Sequence, residues 1–139
     1  MIVFHGTSAA AAARIVGPPL SVDVTRGRGE LGRGFYAGDS ISLAVSWAKG
    51  RFGKSQGKSI QIEVDNSAYA ALNVLSIGRR RYVWWLWKYL ALKSRTATHL
   101  FGYDAVCAPF AALDMSLQIK FESAAAQNVL NAHSVMVVL

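Results

Sequence analysis

GRGELGRGFYAGDSISLAVSW, residues 27–47, is the stretch around which the rest of this chain is organised. Gly27, Gly29, Gly32 and Gly34 let the backbone take positive φ and come close to a ligand, and Arg26, Arg28 and Arg33 set cationic groups among them. Such a loop suits a phosphate-bearing ligand. Phe35 and Tyr36 leave it. Asp39 and Ser40 then stand where they cap a helix, in which Ile41, Ala44, Val45 and Ala48 fall at helical spacing and Trp47 closes the segment.

Upstream of the loop, residues 2–4 predict a short strand, and His5, Gly6 and Thr7 a turn that leaves it. Thr7 or Ser8 can cap a helix over 9–16, which Pro18 and Pro19 end, and residues 20–24 can be extended. Downstream, the polar, glycine-rich run 50–58 predicts a mobile loop before a strand over 59–64, with another short strand over 72–77. In residues 78–95, Val83, Trp84, Trp87, Leu90 and Ala91 keep helical spacing beside Arg80, Arg81, Lys88 and Lys93. Such a helix either packs its aromatic stripe into the core or, with Arg79 to Arg81 on phosphates and tryptophan on bases, contacts nucleic acid or an antitoxin.

Toward the C-terminus a strand is expected over 103–108, a connection over 109–114 and a second strand over 116–121. That second strand alternates Ser116, Gln118 and Lys120 with Leu117, Ile119 and Phe121, which puts the polar set outward. Ser123 caps a helix through Asn131, and residues 135–139 finish as a buried strand. Many short strands with few, short helices predict an α+β fold, not a doubly wound parallel sheet.

At 139 residues and 53% apolar, the chain is expected to be one domain, 1–139, with a core that needs no staples. One cysteine, Cys107, allows no internal disulfide and reads as core. No basic region precedes the apolar N-terminal residues and no 18-residue apolar run exists, so neither a signal peptide nor a membrane span is expected. A net charge of +7 favours an anionic partner such as RNA, DNA, a nucleotide or an acidic protein.

Gly27, Gly29 and Gly32 match the dinucleotide spacing G-x-G-x-x-G, but the glycines lead into Phe35 and Tyr36 instead of opening a helix, and no carboxylate follows where a ribose would need one. There is no P-loop and no nucleophile elbow, and the three histidines and single cysteine are too scattered for a metal set.

Three separated groups stand out: His5 at the end of the first strand, Tyr36 after the glycine loop and Gln118 on a late strand. With the residues around them, they fall into three blocks. These are Val3 to Thr7; Gly32 to Tyr36, with Ser42 and Trp47 behind; and Tyr103 to Val106 followed by Leu117 to Phe121. In this order and spacing the blocks resemble those of the diphtheria-toxin-like ADP-ribosyltransferases, the His-Tyr-Glu group that includes the poly(ADP-ribose) polymerases, and in particular its small bacterial toxin members. The resemblance covers residues 2–131.

That resemblance implies two facing antiparallel β-sheets with short flanking helices and an NAD cleft between the sheets. It also assigns roles. His5 would hydrogen-bond an adenosine-ribose hydroxyl, the Gly6 backbone would hold the nicotinamide amide, and Tyr36, flanked by Trp47, would stack on the nicotinamide ring, as an aromatic pair suits a flat ring. Thr7, Gly34 and Ser42 complete the NAD-binding set, and no metal is implied. The third residue opposes the positive charge that develops on ribose as the bond breaks. Here the chain departs from the common pattern, since Gln118 stands where glutamate is usual and brings no charge. Asp114 and Glu122 sit four residues to either side, about 13 Å away along a strand, which leaves Gln118 the first choice and Glu122 the fallback.

The implied activity is transfer of one ADP-ribose from NAD to RNA, DNA or a protein by a bacterial toxin. Its setting would be cytoplasm, in the producing cell or in a target cell that receives it, and an antitoxin or immunity protein would restrain it. An NAD glycohydrolase on the same fold and a non-catalytic module binding ADP-ribose or RNA are the alternatives. A 2′-phosphotransferase of related fold ranks last, because its basic catalytic set cannot be placed.

Overall fold

The computed structural model describes residues 1–78, 98–110 and 113–139, with the backbone alone at 113–115. These residues form a mixed α+β structure, with a seven-strand mixed sheet, a two-strand ribbon and four helices among the described residues. In chain order they are β1 (Ile2–Ser8), α1 (Ala9–Val16), β2 (Arg28–Gly29), β3 (Gly32–Arg33), β4 (Phe35–Gly38), α2 (Ile41–Phe52), β5 (Gly57–Val64), α3 (Asn66–Ala70), β6 (Val74–Ser76), β7 (Ala105–Phe110), β8 (Leu113–Phe121), α4 (Ala124–Ala132) and β9 (Ser134–Val138). The helix expected over residues 82–93 lies outside the described residues. The chain divides into two compact units, the first made of Met1–Val22, Ala37–Ala71 and Asn128–Leu139, the second of Asp23–Tyr36 and Leu72–Gln127.

In the first unit the strand order is β4-β1-β5-β9, every pair antiparallel. β1 and β5 are paired along their whole length, from Ile2 opposite Glu63 to Ser8 opposite Gly57. Strand alternation sends Val3, Ile60, Ile62 and Met136 inward, where all four are buried, and α1 packs on β1, β5 and β9 through Ala12 and Ile15. Ser8 caps α1 by accepting from Ala11 N at 3.2 Å, and Ser40 caps α2 by accepting from Leu43 N at 3.3 Å. α2 runs on through Gly50 to Phe52 and stops at Gly53, whose φ of 84° a side chain would resist, so the expected loop over 50–58 shrinks to a turn before β5. Asp65 caps the short α3, which the sequence did not announce.

The strand expected as buried at the C-terminus is instead an edge. β9 pairs with β5 alone, and Val135 and Val137 are 65% and 52% exposed while only Met136 turns into the core. An all-apolar run reads as buried on both faces, but here only one face has a partner layer.

The second unit holds β6, β7 and β8 in that order, and the β2-β3 ribbon. β7 and β8 are antiparallel, with Ala108 opposite Gln118, whereas β6 runs parallel to β7 from Val74 opposite Ala105. The sheet is therefore mixed where an antiparallel one was expected. The long connection over residues 77–104 is what permits a parallel return, which a tight hairpin cannot make. Leu31, Ile77, Val106 and Ala108 form the buried cluster, with Tyr36, Leu75 and Phe101 packed against it, and Cys107 is half-buried. Asp104 ties the ends of these elements, accepting from Asn73 N at 2.8 Å and from the Ser123 hydroxyl at 2.6 Å, while Ser123 caps α4 through Ala126 N.

Candidate active site

The second unit contains Gly34, Tyr36 and Gln118. Its glycine loop is folded into the β2-β3 ribbon, with Glu30 and Leu31 as the two-residue turn. Gly32, at φ 93°, is the one of the four loop glycines that needs a left-handed backbone. The others are required because the protein's own groups press on them. A Cβ would meet the Gly34 carbonyl at Gly27, the Tyr36 ring at Gly29 and the Lys120 stem at Gly34. Room that the sequence offered to a ligand is in large part filled by protein. Of the loop arginines, Arg26 is paired with Asp23 at 3.0 Å, Arg28 is exposed, and Arg33 has a buried Nε with no hydrogen-bond partner among the described residues.

Tyr36 locks the ribbon turn from below. Its hydroxyl donates to Gly32 O at 2.7 Å and accepts from Leu31 N at 3.1 Å. Burial pushes the phenol well above its ordinary value of 10.0, with the negative charges of Glu30 and Glu122 adding to the rise, so the ring is neutral at any physiological pH.

Gln118 and Lys120, expected on an outward face of β8, are 1% and 0% exposed. The alternation itself holds, but the glycine loop covers that face. Lys120 donates to Leu31 O at 2.8 Å, pairs with Glu122 and places its ammonium 4.7 Å from the Phe101 ring centre. Burial lowers the Lys120 pKa and the Glu122 carboxylate opposes that shift. Glu122 also accepts from the backbone N–H groups of Phe101, Gly102 and Tyr103, at 2.8–3.2 Å. Its carboxylate is thus committed to pinning a loop, which removes the ground for taking it as the fallback catalytic acid. Asp114, the other neighbour considered, has no described side chain.

The Gln118 amide is oriented without ambiguity. Its Nε2 donates to a carboxylate oxygen of Glu30 and to Pro109 O at 3.3 Å, and both partners can only accept when the carboxylate is ionised. Glu30 was missed by sequence reasoning. The available signal was a single carboxylate, Glu30, set among glycines and Arg26, Arg28 and Arg33.

The first unit contains His5, Gly6, Thr7, Ser42 and Trp47. Gly6 faces α2 so closely that a Cβ would run into the Ala44 carbonyl and lie 3.3 Å from Trp47, which brings Gly6 and Trp47 together. His5, opposite Ile60, and Thr7, opposite Lys58, lie on the other face of β1. His5 is half-buried and Thr7 buried. Ser42 is exposed with its hydroxyl 3.0 Å from that of Ser40. Trp47 is no core residue. It is 54% exposed, meets Phe52 edge to face and carries the Arg51 guanidinium 5.7 Å above its ring.

Elsewhere, His99 stands edge to face with Phe101, its Nε2 buried without a hydrogen-bond partner among the described residues, and His133 is exposed. Among the described residues no group of three His, Cys, Asp or Glu side chains could hold a metal ion, and no helix is long and apolar enough to cross a membrane. No protein-family model matches the chain, and no curated protein matches it significantly.

Proposed function

We propose that the chain is an NAD-dependent mono-ADP-ribosyltransferase of the diphtheria-toxin-like type, a bacterial toxin acting on a nucleic acid or a protein and restrained by an antitoxin or immunity protein. The observation that carries this reading is the environment of Gln118. An exposed strand glutamine would have no reason to be 1% exposed and held by the turn of the glycine loop, whereas a residue that must meet a ribose at a fixed angle does. Tyr36 supports the same reading: the ring is neutral, and it packs on Ala108, the residue opposite Gln118. Gly6 and Trp47 supply the corresponding pair in the first unit, a backbone without a side chain beside an exposed indole.

In this reading NAD is the substrate and no metal takes part. His5, Gly6, Thr7, Gly34, Ser42 and Trp47 bind it, with Tyr36 against the nicotinamide, and the split sheet of the ADP-ribosyltransferases is the fold to which the mixed sheet corresponds. The net charge of +7 favours a nucleic acid, or a protein bound to one, as acceptor.

The test is incubation of the purified protein with NAD labelled on its adenylate phosphate, with and without total RNA and cell lysate. Label is expected on RNA or on a protein band. Free ADP-ribose with no labelled macromolecule would make the enzyme a glycohydrolase, and intact NAD in every mixture would leave a binding module.

A further inference from the structure

We infer that Glu30 supplies the negative charge that Gln118 lacks, so that the site's carboxylate comes from the turn of the glycine loop and not from β8. This rests on the NAD-cleaving reading given above. The geometry is direct. Glu30 accepts from Gln118 Nε2, and its charge is felt at the Tyr36 phenol, so the carboxylate lies between the two groups assigned to ribose and nicotinamide. The alternative carboxylate, Glu122, is neutralised by Lys120 and saturated by three backbone N–H groups. Glu30 has a neutral amide as its partner, and an amide orients a carboxylate without cancelling its charge.

Glu30 is also held where a loop residue would otherwise wander. Gly29 and Gly32 pair across the ribbon on either side of the turn, Leu31 N is bonded to the Tyr36 hydroxyl, and Leu31 O is bonded to Lys120. Both ends of Leu31, the residue after Glu30, are therefore fixed. Preorganised charge of this kind is worth more than the same charge on a mobile side chain.

The step it serves balances as follows. The bond between ribose C1′ and the nicotinamide nitrogen breaks, its electron pair goes to the nitrogen, and nicotinamide leaves neutral. Positive charge spreads over C1′ and the ring oxygen, where the Glu30 carboxylate opposes it. A lone pair of the acceptor, or of water, forms the new bond at C1′, and the acceptor's proton passes to solvent.

The experiment compares nicotinamide release from NAD by the full chain and by Glu30→Gln, Glu30→Asp and the double variant Glu30→Gln, Gln118→Glu, with NAD affinity measured by calorimetry and folding by thermal melt. Glu30→Gln is expected to lower kcat by about 100-fold while NAD affinity changes by less than about 3-fold. Glu30→Asp should retain an intermediate rate. The double variant, which puts the carboxylate on the other side of the same hydrogen bond, should recover part of the loss, and a merely structural role for Glu30 would not give that rescue. A wild-type chain that cleaves NAD and a folded Glu30→Gln that cleaves it equally fast would overturn the inference and spare the enzyme reading. If Glu30→Gln does not fold, the double variant decides: a folded double variant that cleaves NAD supports the inference, and Glu30→Asp with no activity despite normal folding and affinity opposes it. A wild-type chain that leaves NAD intact overturns both.

Discussion

Tyr36 combines two tasks at the scale of a single residue, and they can be separated by pH. Its hydroxyl satisfies Leu31 N and binds Gly32 O, so Tyr36→Phe strips a half-buried N–H of its partner and should cost about 1–2 kcal/mol near neutral pH. Because the folded-state phenol titrates above its ordinary value of 10.0, the stability it contributes is complete below that pH and is lost as pH rises past it, where the unfolded chain ionises first. The wild type should therefore lose up to about 1.4 kcal/mol per pH unit above that point relative to Tyr36→Phe, and the two stability curves should converge. Urea unfolding at a series of alkaline pH values measures this, and parallel curves would show that the phenol is not held neutral by its surroundings. The charge of Lys120 falls under the same logic of burial. A lysine with 0% exposure persists only because Glu122, Leu31 O and the Phe101 ring share its ammonium, and removing one member of such a buried pair typically costs about 3–5 kcal/mol.

At the scale of elements, the contact between β1 and α2 depends on the missing side chain of Gly6. Gly6→Ala would push a methyl group into the Ala44 carbonyl and against Trp47, and backbone cannot yield as a side-chain end can. It should cost about 1–3 kcal/mol, seen as a lowered melting temperature, and a neutral substitution would mean that α2 is free to shift. Sequence patterning was sufficient for elements defined locally. Ser8 and Ser40 marked the starts of α1 and α2, and Ser123 that of α4, since a cap is a matter of three or four neighbouring residues. It failed where the answer depended on what lies across from a residue. The alternation in β8 was legible, but the burial of Gln118 and Lys120 comes from a loop almost ninety residues earlier in the chain. The same blindness made β9 look buried and left Glu30 unnoticed, because the pairing of one carboxylate with one distant amide has no local pattern.

For the whole molecule, the account turns on NAD. Three sequence blocks, each weak alone, assign one bond to be broken, and the described structure gives Gln118, Tyr36 and Glu30 one shared neighbourhood in the second unit and Gly6 with Trp47 another in the first. A net charge of +7 then biases the acceptor toward polyanions, with a salt dependence to match. The measurement that bears most directly on this is chromatographic detection of free nicotinamide after purified protein is mixed with NAD alone and with RNA and lysate. Nicotinamide is expected to accumulate in proportion to wild-type protein and to be absent with Tyr36→Ala. NAD recovered intact from every wild-type mixture would contradict the account.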